Sequence, residues 1–311
     1  MGLESRTEKL ELKDGYLQRP FWERAKPYLI IAPALLLTIG ILYPFGMAVY
    51  YSLTNLSFRR PTVRFTGFAN WGEMFREPSF WHAVWVTVKY AFVTTVSEIL
   101  LGLGIALLIC KKDNFFSRAL KVLLVFPLMV APVIATIIWQ LMTNTSVGIL
   151  EKFLNLFGVY GFPWASSPST ALFTAALIDI WVYTPFVIVL VVAGINSLPK
   201  SPFESAQIDG GSPWFTFKNL TLPMLKPFLY IALIFRLMAS MQEYGIIFAL
   251  TKGGPGDTLM NLSLTAYNKG FAFLKFGEAM PYILFLWVII YIISKKLVSN
   301  WLLVQKKASG R

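Results

Sequence analysis

A single histidine and a single cysteine leave this chain with little of the chemistry that most enzymes use. His82 sits among aromatic residues beside Trp81 and Trp85, where an interfacial role is the ordinary reading. Cys110 has no second cysteine with which to close an internal disulfide. Metal sites need clustered His, Cys or carboxylate ligands, so no metal centre is expected. No Gly-x-x-x-x-Gly-Lys-Ser/Thr run occurs, so the chain lacks a phosphate-cradling loop of its own. The run Lys252-Gly253-Gly254-Pro255-Gly256 has its glycines in a different order. No convergent nucleophile and base can be assembled either, and no catalytic residue is expected. Charged residues are scarce at 14%, and neither an internal repeat nor a low-complexity tract interrupts the chain.

What is abundant is apolar. Of 311 residues, 56% are hydrophobic and 16% aromatic, and the mean hydropathy is +0.60. A soluble domain is about half apolar and about a quarter charged, so this composition indicates an integral membrane protein. Six stretches approach the roughly 20 residues that cross a bilayer as helix. They run from Tyr28 to Tyr51, Val84 to Cys110, Ala119 to Met142, Ala171 to Ile195, Pro227 to Leu250, and Gly277 to about Leu297. The expected fold is all-α and polytopic, with six transmembrane helices. Lys295 and Lys296 must snorkel or lie at the interface.

A net charge of +12 would suggest nucleic acid as partner for a soluble protein, but here loop asymmetry accounts for it and no nucleic-acid partner is expected. With the N-terminus inside, the inner segments hold 18 Lys and Arg and the outer segments 8. Both termini are therefore expected to be cytoplasmic. The first 27 residues are polar, and the span that follows is about twice the length of a signal-peptide core, so it is expected to remain as an anchor.

Between the fourth and fifth spans lies Glu204-Ser205-Ala206-Gln207-Ile208-Asp209-Gly210, followed after nine residues by Leu220-Thr221-Leu222-Pro223. Ser201-Pro202-Phe203-Glu204 reads as a capping box, with Ser201 as N-cap and Pro202 at the first helical position. Gly210-Gly211 ends that short helix. Ser212-Pro213 caps a second one, which runs through Trp214 towards Leu222 until Pro223 stops it.

The segment resembles the "EAA" loop of ABC-transporter permeases, whose pattern is Glu-Ala-Ala, three residues, Gly, nine residues, Ile-x-Leu-Pro. Glu204, Ala206, Gly210, Leu222 and Pro223 match it, with Ser205 for the middle Ala and Leu220 for the Ile. The resemblance implies that the loop docks into a cleft of a separate ATPase. Glu204 would hold a basic residue of that ATPase, and Phe203, Ile208, Trp214 and Phe215 would fill the cleft, with Asp209 beside them. It also implies a layout of a cytoplasmic N-terminal segment over 1–27, a six-helix permease domain over 28–304 with its coupling loop at 199–226, and a cytoplasmic tail over 305–311.

Charges at bilayer depth cost about 2.5 to 3.5 kcal/mol each and usually face a bundle interior or a water-filled path. Five stand within spans: Lys89, Glu98, Asp179, Arg236 and Glu243. Lys89 is near a span end and can snorkel; Glu98 suits a structural partner or a path-lining group equally. Arg236, Ser240 and Glu243 are spaced i, i+4, i+7 and share a helix face, as do Asp179 and Tyr183 at i, i+4. In the maltose-type permeases that this chain resembles, sugar is held by the two helices that flank the coupling loop. That likeness puts Asp179, Tyr183 and Phe186 on one side of a substrate path and Arg236, Ser240 and Glu243 on the other. The competing reading is a buried ion-pair network of Arg236 with Asp179 or Glu243 that locks the helices together. Arg236 further suggests an acidic cargo, such as a uronate oligosaccharide or a phosphorylated polyol, unless the nearby carboxylates neutralise it.

Two outer stretches narrow the family. Gly67 to Phe75 with Ser79 to Ala83 is similar to the outer loop and span entry of carbohydrate-uptake permeases. Leu250 to Pro255, with Thr258 and Tyr267 to Phe271, is similar to the first of the two non-identical permeases of such systems. Trp71, Phe75, Trp81, Gly254 and Pro255 are then the candidates for docking an extracytoplasmic binding protein, and an interfacial aromatic belt is the competing reading.

The resemblance implies one permease of an ATP-driven solute importer in a bacterial or archaeal cytoplasmic membrane. Its partners would be a second homologous permease, in a heterodimer, two ATPase subunits, the binding protein and membrane lipid. No cofactor is expected on this chain; ATP and Mg would be bound by the ATPases. A secondary transporter is the alternative, since intramembrane carboxylates can carry protons, but it predicts inverted repeats that are not found.

Overall fold

The computed structural model describes residues 21–59, 62–111 and 114–308. Most of the expected N-terminal segment, residues 1–20, and residues 309–311 of the tail lie outside these. The chain forms two units, one ending at Tyr51 and one beginning at Ser52. The first holds all but the last residue of helix α1 (Phe21–Ser52), which takes in the expected first span and starts seven residues earlier. Pro27, Pro33 and Pro44 lie within it, as transmembrane helices tolerate, and the Thr38 hydroxyl donates to the Ala34 carbonyl at 2.8 Å.

In the second unit, the short helix α2 (Ala69–Arg76) buries Asn70 and Met74 and leads into α3 (Pro78–Cys110), with Pro78 in its first turn. Then follow α4 (Phe115–Val125), α5 (Pro132–Met142), α6 (Ile149–Asn155) and the long α7 (Pro168–Asn196). The Glu204 segment forms α8 (Ser201–Ile208) and α9 (Pro213–Thr216), and α10 (Leu222–Met241) rises from it. After α11 (Gly245–Thr251) and α12 (Leu262–Tyr267), α13 (Phe276–Ala308) closes the chain. No strand occurs among the described residues. Five helices are long and apolar enough to span a membrane, or six if a bent pair counts as one.

Helices α3, α7 and α10 pack through small residues, since lipid offers helices no hydrophobic reason to associate and close van der Waals contact must serve instead. A Cβ at Gly102 of α3 would lie 2.6 Å from the Val187 side chain of α7, and one at Gly194 would strike Phe228 of α10. Towards the Glu204 loop the core is Ala106, Ile109, Val187, Val191, Leu225 and Ala232. Towards the other end, Tyr90, Trp139, Ile178, Val182, Ile246 and Leu264 fill it, and Phe80, Met241 and Tyr282 anchor α13.

Three sequence expectations are corrected here. The third span is not one helix: α4 continues into a 3-10 turn (Phe126–Met129), and α5 leaves it at 101°. Pro127 and Pro132 remove backbone donors and preset the turn, which breaks the ladder. The fifth span does not reach Leu250. It ends at Met241, and the Glu243 carboxylate accepts from the Ile246 N–H at 2.8 Å to start α11 afresh. At its other end it reaches much further back, because Pro223 stops nothing. A π turn over Phe217–Thr221 joins α9 to α10, so Pro213–Met241 is one span-length helix. The wider turn gives the Pro223 ring room where an α turn would press it on the carbonyl four residues before.

Candidate functional site

The loop after α7 presents the first candidate surface. The expected capping box is absent. Lys200 is the N-cap in helical conformation, Ser201 lies inside the helix, and no side chain caps the terminus. The Phe203 and Glu204 N–H groups turn back to the Lys200 carbonyl at 3.0 Å each, which leaves the serine hydroxyl without that job. The second cap forms as expected, with Ser212 Oγ accepting from the Phe215 N–H at 3.2 Å. Between them Gly210 has φ +72°, and the Gly211 N–H donates to the Ala206 carbonyl at 2.8 Å. That approach leaves no room for a Cβ at Gly211.

The folded loop turns Ala206 inward and shows Glu204, Ile208, Asp209, Trp214 and Phe215 to the outside. Ile208 is 87% exposed and Trp214 69%, while Glu204 has no ion pair among the described residues. Phe203, Leu222 and Pro223 are half-buried, the last two at the junction of the π turn with α10. An unpaired carboxylate set between exposed apolar side chains is suited to docking a protein surface with a cation at its centre.

Midway along the helices lies a polar centre. Arg236 of α10 donates from Nε to Glu98 Oε2 at 2.5 Å and from Nη2 to Glu98 Oε1 at 2.8 Å. Nη2 also reaches Asp179 Oδ1 at 3.0 Å and Ser240 Oγ at 3.1 Å. The guanidinium carbon stands 3.9 Å from the centre of the Tyr183 ring. Glu98 and Asp179 are fully buried, and Arg236 is 3% exposed. Two carboxylates thus face one guanidinium, tying α3, α7 and α10 together. Asp179 Oδ2 and the nearby Tyr90 hydroxyl have no hydrogen-bond partner among the described residues. Nη1 of Arg236 makes no hydrogen bond there either.

The six residues assigned to a path are therefore brought together only in part. Asp179, Tyr183, Arg236 and Ser240 form one cluster, and Phe186 stands beside it with its ring 6.2 Å from that of Phe235. Glu243 makes no hydrogen bond or ion pair to that cluster, although it lies close enough to interact electrostatically with Asp179 and Arg236. Its carboxylate is occupied with the start of α11, and its backbone carbonyl accepts from Asn261 Nδ2. Glu98 supplies the bidentate partner that the helix-face reasoning gave to Asp179 or Glu243. Three intramembrane carboxylates against one arginine signalled that pairing must occur, but which acid wins depends on how α3 packs against α10.

At the opposite end of the helices, Trp71, Phe75 and Trp81 gather around Phe80 and Phe285. Phe75 meets Trp71 and Trp81 at 6.3 Å each and Phe285 at 5.8 Å, ring centre to ring centre. The turn with Gly254 and Pro255 is held to α3 by His82, whose Nε2 lies 2.9 Å from the Asp257 carbonyl. Glu77, just before α3, accepts from Lys269 Nζ and the Tyr282 hydroxyl at 2.8 Å each. Burial alone would raise its pKa, but these bonds outweigh it and hold the carboxyl below the usual range. Sequence spacing offered no sign of this cluster, whose members are far apart in the chain. Among the described residues no group of His, Cys, Asp and Glu could hold a metal ion.

Comparison with known proteins adds to this geometry. Residues 98–304 match the profile of a family described as binding-protein-dependent transport system inner membrane component. The trehalose/maltose transport system permease protein MalF of Thermococcus litoralis is 35% identical over 78% of this chain and 82% of its own length. The sn-glycerol-3-phosphate transport system permease protein UgpA of Pectobacterium atrosepticum is 32% identical over 81% of this chain and 86% of its own. Among solved structures, a bacterial ABC transporter involved in the import of the acidic polysaccharide alginate superposes with a TM-score of 0.76 at 20% identity, covering 90% of this chain and 97% of that one. At that identity the likeness is one of fold.

Proposed function

This chain belongs to the family of binding-protein-dependent transport system inner membrane components and is a multi-pass permease of an ABC importer, and on that premise we propose that it carries a neutral, polyhydroxylated carbohydrate into the cytoplasm. The loop of α8 and α9 and both termini face the cytoplasm, as the 18 to 8 division of Lys and Arg favours. The membrane is the cytoplasmic membrane of a bacterium or archaeon.

Two ATPase subunits bind ATP and Mg²⁺, and one of them receives Glu204 with Ile208, Trp214 and Phe215 in its cleft. A second, distinct permease completes the path. The extracytoplasmic binding protein docks at the opposite end, on Trp71, Phe75, Trp81 and the Gly254-Pro255 turn. When the ATPases close, α8 moves with them, and the unbroken helix Pro213–Met241 carries that movement to Arg236 and Ser240. Tyr183 and Phe186 offer apolar faces to a sugar ring, and Ser240 and Arg236 Nη1 offer hydrogen bonds.

A neutral cargo is preferred to an acidic one because Glu98 and Asp179 already oppose the single guanidinium, so the centre holds no surplus positive charge. The observation that carries the coupling role is the exposed, unpaired Glu204 between apolar side chains. Its test is Glu204→Lys in the assembled transporter. Expected is ATP hydrolysis that no longer responds to loaded binding protein, with uptake lost; normal uptake by an intact assembly would refute the coupling role.

A further inference from the structure

Two clefts meet where α3 ends. One, of about 860 Å³, lies between Leu107 and Lys111 of that end, Leu198 and Lys200 after α7, and Phe203 and Glu204 of α8. The other, of about 780 Å³, shares Leu107, Lys111, Gln207 and Thr221 with the first and extends to Gly104 and Leu108 in the body of α3. A Cβ placed on Gly104 would meet nothing within 4 Å, and Leu108 is 74% exposed. The clefts therefore open sideways onto the apolar length of a membrane span. Each has the size of an ordinary ligand pocket.

Charge at the mouth is net positive. The Lys111 and Lys200 ammonium groups have no hydrogen bond or ion pair among the described residues, and Glu204 is the one carboxylate on the wall. Two unpaired ammonium groups against one carboxylate favour an anion. Behind them the walls are Leu107, Leu108 and Phe203, which a small inorganic anion would leave uncovered. An amphiphile with an anionic head satisfies both parts.

We propose that this double cleft is a site for an anionic phospholipid, its phosphate between Lys111 and Lys200 and its acyl chains along Leu107 and Leu108. The inference rests on the reading that the Glu204 loop is cytoplasmic, which makes the lipid one of the inner leaflet, where anionic headgroups attract basic side chains. A lipid so placed touches the helix that docks the ATPase and ties coupling to membrane composition.

The test uses the permease–ATPase complex in nanodiscs of phosphatidylcholine with increasing phosphatidylglycerol, from which bound phosphatidylglycerol is counted by native mass spectrometry. The wild type and Lys252→Gln, at the other end of the molecule, should retain the anionic lipid alike. The double variant Lys111→Gln/Lys200→Gln should need about thirtyfold more phosphatidylglycerol for equal retention. Equal retention in all three would overturn the site. Displacement by excess inorganic phosphate would overturn the lipid in favour of a free anion. Whether the ATPases remain bound is scored separately: their absence would refute the coupling reading, and the lipid count, repeated on the permease alone, still judges the site.

Discussion

Arg236 is held by more partners than any other charged side chain described, and its surroundings decide what a substitution there does. Removing one member of a buried ion network leaves an uncompensated charge, which costs about 3–5 kcal/mol, whereas replacing the whole network by apolar groups of similar size is often neutral. Glu98→Ala should therefore lower thermal stability strongly, and the triple variant Glu98→Leu/Asp179→Leu/Arg236→Met should recover much of it. Melting of the purified protein measures the first effect, and uptake by the triple variant separates two roles. Lost uptake in a stable triple variant keeps these residues in the path; unchanged uptake confines them to holding helices together. That polar residues would converge was legible in the chain, because Asp179 and Tyr183, and Arg236 and Ser240, each share a helix face. The dominance of Glu98 was not, since it depends on the depth at which two helices separated by more than a hundred residues pass each other. The unused Nη1 of Arg236 was equally beyond a linear reading.

Helices were legible by length and hydropathy, and their breaks were not. Six apolar stretches were recognisable, yet the third folds as two helices at 101°, and the fifth is displaced towards the loop. In both cases proline was the visible signal, and its effect turned on the surrounding turn type. Pro127 sits in the 3-10 turn that ends α4 and Pro132 opens α5, whereas Pro223 follows a π turn and stays within one helix. The close pairing of α3 with α7 has a sharper test. At Gly102 any side chain presses on Val187, so Gly102→Ile should cost about 1–3 kcal/mol by overpacking. Val187→Ala in the same chain should return part of that loss. A Gly102→Ile variant that melts like the wild type would show the two helices to be too far apart for a Cβ at Gly102 to meet Val187.

For the whole molecule, the proposed orientation predicts opposite reactivity at the two ends. In a Cys110→Ala background, Asp257→Cys should react with a membrane-impermeant maleimide added to intact cells, and Lys218→Cys should react only after the membrane is opened. The reverse pattern would invert the topology and detach the Glu204 loop from any cytoplasmic partner. Charge asymmetry is what proposes this orientation, because it is a statistical property of loops and needs no packing detail. What the chain did not disclose is that Pro213 and Met241 belong to one helix. An α-helix advances about 1.5 Å and turns about 100° per residue. Trp214, near its start, and Arg236, near its end, are therefore locked in angular phase as well as in distance. One residue inserted or deleted between them would swing the guanidinium away from Glu98 unless the π turn absorbed the change by relaxing to α. The site that meets another protein and the site buried at mid-depth can thus vary in side chains independently, but the count of residues between them is shared property of both.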